Sequence, residues 1–308
     1  MNSIDFLKEL NEIDDDLLMK AELPPVRKPC IHRISVNIVV IALVLCLMSV
    51  TAAAVTFSIR VFTREDTVPN YENYHFGFFH VNSKVTTIEY ELRPHEIEIP
   101  LQWGNALTDA WKGFGYSYDH FTGIELKGND GKRINYGGIA QLEQLLGISL
   151  VSSEELELVT QGAYVTLAVT DQKRAAEQFR SEGAVSPDGM IVYLPFLRNA
   201  QTGLDPEIVD FCGLSIFIPL TDAFADRYTS HAVLSSAHKQ DLTQKRIMSS
   251  KDIEIVMLQN TVQDGDALSA YAAWEQAGIG YLIEIKTNWG AETLPCDILT
   301  PYLENLEG

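Results

Sequence analysis

Apolar and polar residues alternate along this chain in three rhythms, each predicting a different element. Residues 34–59 contain no Asp, Glu, Lys or Arg, and their centre reads Val39-Val40-Ile41-Ala42-Leu43-Val44-Leu45-Cys46-Leu47-Met48. A helix rises about 1.5 Å per residue, so about 20 apolar residues cross a hydrocarbon layer about 30 Å thick. Backbone groups in lipid must pair within their own segment, which selects a helix. The pattern predicts one transmembrane helix over 34–59.

Before it, the apolar positions fall at spacings of three and four. Ser3 can cap a helix bearing Ile4, Leu7, Leu10, Ile13, Leu17, Leu18 and Ala21, and Pro24-Pro25 ends it. An amphipathic collar lying on the membrane and a docking helix for a partner both fit this stripe. Interfacial helices favour Lys and Arg on the polar face, whereas this one is mainly acidic, with Asp14-Asp15-Asp16 at its centre. On the docking reading, Ile13, Leu17 and Leu18 are the anchors that enter a partner's groove.

After the apolar run the rhythm becomes two. Ile88, Tyr90 and Leu92 alternate with Thr87, Glu89 and Glu91, and Ile97, Ile99 and Leu101 alternate with Glu96, Glu98 and Pro100. Both stretches read as half-buried strands, broken at Arg93-Pro94. Asn129-Asp130-Gly131 predicts a hairpin turn between Ile124-Glu125-Leu126 and Ile134-Asn135-Tyr136. Helices are predicted over 138–146, closed by Gly147, over 171–183, and over 296–306. Further strands fall at 163–169, 190–196, 214–220 and 253–258, and 268–274 pairs with 279–285 across Glu275-Gln276-Ala277-Gly278. Residues 221–251 lack periodicity and read as irregular, with a break between two subdomains placed there. Strands in succession with few helices predict an antiparallel α+β domain over 60–308.

Charge gives the apolar run its orientation. Arg27, Lys28 and Arg33 precede it while Arg60 and Arg64 follow, a three-to-two bias that places the N-terminus in the cytoplasm. Ala52-Ala53-Ala54 would suit a signal peptidase, but a signal's charged region and apolar core together occupy about 15–30 residues. The leader alone, residues 1–33, exceeds that, so an uncleaved signal anchor in the cell membrane is expected.

The 308-residue chain carries a net charge of −19. The leader holds five Lys/Arg against seven Asp/Glu, a net −2, which leaves −17 for the rest. So acidic a domain argues against nucleic acid as a partner. Four cysteines are too few for a disulfide scaffold; Cys212 and Cys296 either bridge or are two buried thiols.

The run from Asn11 through Glu12-Ile13-Asp14-Asp15-Asp16-Leu17-Leu18-Met19-Lys20 to Glu22, then a basic stretch and a single span, resembles one group of proteins. These are single-pass membrane proteins of Gram-positive bacteria, encoded beside extracytoplasmic-function sigma factors and described as anti-sigma factors. The segment Ile139-Ala140-Gln141-Leu142-Glu143-Gln144-Leu145-Leu146-Gly147-Ile148 is similar to a helix-then-strand entry in their outer domains. Tyr281-Leu282-Ile283-Glu284-Ile285 followed by Asp297 to Leu306 is similar to their strand-plus-helix ending. The resemblance implies a membrane-tethered regulator with a sigma factor as its cytoplasmic partner. Zinc-bearing anti-sigma domains use His-x3-Cys-x2-Cys, where this leader offers only Cys30 and His32.

Catalytic patterns are weak throughout. His75 and His80 fall on opposite faces of a strand, and His231 and His238 lie seven apart. His95-Glu96 lacks the second His of a zinc-protease motif. Glu89/Glu91 and Glu96/Glu98 read as solvated strand faces rather than an acid–base pair. Ser149 lacks the second Gly of a nucleophile elbow, and Gly113-Phe114-Gly115 lacks a Lys-Ser/Thr sequel. Trp111, Phe114, Tyr116, Tyr118 and Phe121 either pack the core or line a ligand groove.

The expectation is therefore a non-enzymatic, single-pass sensor with no cofactor and no metal. It sits in the lipid bilayer, binds an unidentified envelope ligand outside, and contacts a cytoplasmic protein inside. The alternative is a membrane-anchored enzyme or ligand-binding protein whose leader serves only for insertion.

Overall fold

The computed structural model describes residues 59–69, 80–114, 123–160, 162–199, 204–228, 230–236, 242–260 and 267–308. The leader helix with Ile13, Leu17 and Leu18, the span up to residue 58, and His75, Tyr116, Tyr118, Phe121 and His238 lie outside these residues. Among the described residues no helix is long and apolar enough to cross a membrane. All of them belong to one compact unit, Thr56–Gly308.

Strands β1 (Ile59–Pro69) and β2 (His80–Tyr90) pair antiparallel from Ile59↔Tyr90 to Pro69↔His80. Ile59, the last residue of the expected span, is the first of β1. It is buried against the core, because its register partner Tyr90 is buried too.

The second sheet holds eight strands, all antiparallel to their neighbours. They are β3 (Gly123–Glu125), β4 (Tyr164–Ala168), β5 (Gly189–Pro195), β6 (Val209–Pro219), β8 (Leu242–Met248), β9 (Glu254–Asn260), β10 (Ser269–Gln276) and β11 (Ile279–Thr287). Their spatial order is β3-β4-β5-β6-β11-β10-β9-β8. The remaining strand, β7 (Ser230–Ser236), pairs instead with β2.

Six helices occur among the described residues: α1 (Leu101–Phe114), α2 (Ile139–Leu146), α3 (Glu154–Val159), α4 (Gln172–Glu182), α5 (Asp222–Tyr228) and α6 (Pro295–Leu303). The expected antiparallel α+β domain is therefore present, with its C-terminal helix. Period-two residues of β5, β6, β10 and β11 form the core, including Met190, Val192, Ile216, Ala272, Trp274 and Ile283. Helix α6 lies across β9, β10 and β11 and buries Leu299, Tyr302 and Leu303. Gly147 closes α2 at φ 67° and Gly183 closes α4 at φ 72°, both as left-handed caps.

Two further expectations are corrected. Residues 96–101 are not a strand: 91–100 runs without turn or bend but makes no ladder, and α1 begins at Leu101. Pro94 and Pro100 lack the N–H that a ladder needs. Pro100 instead starts the helix, its carbonyl accepting from Trp103 N (2.8 Å) and Gly104 N (3.2 Å). Nor is 221–251 irregular throughout, since it holds α5, β7 and β8. Strand β8 forms an edge of its sheet with polar residues on both faces, so burial imposes no alternation on it.

Candidate functional site

The extended segment after β2 forms one wall of a groove of about 820 Å³. Two backbone bonds fix its start: Arg93 N donates to Gly278 O (3.1 Å) and His95 N to Pro219 O (2.9 Å). Gly278 lies at the tight β10–β11 turn, where Ala277 (φ 53°) and Gly278 (φ 85°) both take positive φ. Past His95 the segment keeps its alternation. Ile97 and Ile99 pack against the core, while Glu96 and Glu98 stay exposed.

Helix α1 supplies the second wall. Trp103, Leu107 and Trp111, four apart, are fully buried, and the intervening Gly104, Asn105 and Thr108 face the groove. Gly104 leaves it open, since nothing lies within 4 Å of where its Cβ would stand. Leu101, 78% exposed, sits at the rim.

A loop anchored by Asp188 closes the third side. Its buried carboxylate accepts hydrogen bonds from Thr170 N (2.7 Å), Thr170 Oγ1 (2.8 Å), the Arg174 guanidinium and Thr221 Oγ1 (3.3 Å). Its carbonyl accepts from Leu220 N (2.9 Å) and Thr221 N (3.0 Å). So many donors on one buried carboxylate tie α4, β5 and the end of β6 together, holding Val185, Ser186, Pro187 and Leu220 along the groove. In sequence, Ser186-Pro187-Asp188-Gly189 reads only as a turn. The signal that an Asp there is structural lies in its long-range donors.

Chemically the groove is suited to recognition. Its lining carries two carboxylates and the hydroxyls and amide of Asn105, Thr108, Ser186 and Thr221, but no Lys or Arg. The Ser186 hydroxyl accepts from Gln178 Nε2 (3.0 Å), and that of Thr221 donates to Asp188. Neither pairs with His95, whose buried Nε2 has no hydrogen-bond partner among the described residues. A nucleophile hydrogen-bonded to its base, the minimum for covalent catalysis, is thus missing from the described groove. Among the described residues no cluster of three or more His, Cys, Asp or Glu could hold a metal ion.

The other candidates from sequence scatter. Glu91 pairs with Arg93 (2.8 Å) at the surface, Ser149 lies in an exposed loop, and Trp111 is in the core. His80 lies in β2 and His231 in β7, opposite Ile88. Cys212 and Cys296 are free, buried thiols, which decides between the two readings of that pair. Burial pushes the Cys212 thiol far above its ordinary range and raises Cys296 to about 12, with the Asp297 carboxylate adding to the latter. Both are inert at neutral pH.

No family model, curated protein or solved structure matches the chain.

Proposed function

We propose that the protein is a single-pass membrane regulator of the anti-sigma-factor type. Its α+β domain binds a ligand outside the cytoplasmic membrane, and its N-terminal leader contacts a cytoplasmic partner, a sigma factor. One observation carries this reading. The charge-free run ends where β1 begins, at Ile59, and β1 pairs over eleven residues with β2, which continues directly into the wall of the groove. A ligand that shifts residues 95–99 therefore pulls on the chain that enters the run, through one hydrogen-bonded ladder.

The groove itself supports a binding role over an enzymatic one, because its polar groups are recognition groups without a paired nucleophile and base. Helix and sheet supply a rigid frame for it, as binding sites require. The leader anchors remain Ile13, Leu17 and Leu18.

The test is genetic. Substituting Ile13→Asp, Leu17→Asp and Leu18→Asp in the full-length protein should release the partner, raise transcription from its promoters and abolish co-purification of a sigma factor. Unchanged transcription and no sigma factor captured by the unaltered protein would overturn the regulator, leaving a membrane-anchored binding protein.

A further inference from the structure

We infer that the groove beside residues 95–99 takes an extended peptide, basic and apolar at alternate positions, which adds to the domain as a strand along Glu96, Ile97, Glu98 and Ile99. Three independent observations converge on it. The segment is strand-shaped without being in a sheet: it runs from 91 to 100 with no turn or bend. Arg93 and His95 spend their N–H groups on Gly278 and Pro219, yet no backbone N–H or C=O of residues 96–99 has a partner among the described residues. Such a row of unused donors and acceptors is what an added strand pairs with, and main-chain bonds then give affinity while alternate side chains give specificity.

Space is the second observation. About 820 Å³ lies alongside this wall, lined also by Val185, Ser186 and Pro187 and left open at Gly104. Charge is the third. Glu96 and Glu98 project from the wall at the two-residue spacing of a paired strand, with no Lys or Arg in the lining to neutralise them. The intervening surface of Ile97, Ile99, Leu101 and Leu220 is apolar. A peptide carrying Lys or Arg at every second position matches the carboxylates, and its other side chains cover the apolar floor. A second copy of this acidic chain, at −19, is the wrong sign for the site. This binding stands on the groove alone and does not depend on the regulatory reading.

Fluorescence anisotropy on the full-length protein in nanodiscs tests it. The probe is a labelled peptide of about eight residues alternating Lys and Val, long enough to cover the segment. Its controls are the same peptide N-methylated at every second backbone nitrogen, and one with Glu replacing Lys. The Lys probe should bind saturably, with about tenfold or greater weakening on N-methylation or in the Glu96→Gln, Glu98→Gln protein. The Glu peptide should not bind. Absence of Lys-probe binding would overturn the proposal, as would equal binding of the N-methylated peptide, which marks general attraction to an acidic surface. The two glutamates are exposed, so the double variant should unfold at the same denaturant concentration. Should it fail to fold, the N-methylation comparison on the unaltered protein decides alone.

Discussion

Gly278 and Gly290 both hold positive φ, 85° and 76°, but their surroundings differ. A Cβ on Gly278 would stand 2.7 Å from Arg93 Cβ and 3.0 Å from Arg93 N, whereas one on Gly290 would meet nothing within 4 Å. Gly290→Ala thus costs only backbone strain, about 1 kcal/mol. Gly278→Ala adds a collision with the start of the groove wall and should cost about 2–4 kcal/mol. Urea unfolding of the full chain in detergent micelles checks the difference; equal costs would mean that Arg93 does not pack on this turn.

Buried phenols set the alkaline limit of the fold. Burial raises Tyr90 and Tyr281 well above the ordinary tyrosine range, and burial with the Glu284 carboxylate lifts Tyr271 to about 12. In the unfolded chain these groups release protons near pH 10, whereas the native state retains them. Their stabilising effect is therefore complete below about pH 10 and is lost as pH climbs toward the folded values. Stability should fall steeply above about pH 10, with Tyr90 and Tyr281 ionising only as the protein unfolds. Phenolate absorbance that rises fully while tryptophan fluorescence stays native would contradict this.

Elements were legible where burial enforced a period. The cores of β5, β10 and β11, the tight turn at Ala277-Gly278, and the glycine cap of α2 all follow from local pattern. Helix α1 was not legible. Leu101 continues the period-two run of Ile97 and Ile99, and this masks the four-residue spacing of Trp103, Leu107 and Trp111. Strand β7 was hidden for another reason, since its pairing with β2 is long-range and leaves no local trace. The groove was equally invisible: it is made by Asp188 drawing together segments distant in sequence. On α1 the buried stripe should dominate the energetics. Leu107→Ala should cost about 2–5 kcal/mol through the cavity it leaves, while Asn105→Ala on the groove side should stay within about 0.5 kcal/mol. Paired unfolding curves distinguish them, and a comparable loss for both would mean that Asn105 is built into the core.

For the whole molecule, the proposed regulation turns on one arrangement. On that proposal residues 60–308, an acidic domain bearing the groove, lie outside the membrane and residues 1–33 inside. The most direct measurement is labelling of intact cells with a membrane-impermeant maleimide. The protein would carry Cys30→Ser and Cys46→Ser, leaving only the buried Cys212 and Cys296, with one reporter added at a time. Glu292→Cys, exposed near the C-terminal helix, should label without lysis, whereas Asn11→Cys should label only after the cells are opened. The reverse pattern, or labelling of neither reporter until lysis, would contradict the single-pass orientation and the coupling built on it.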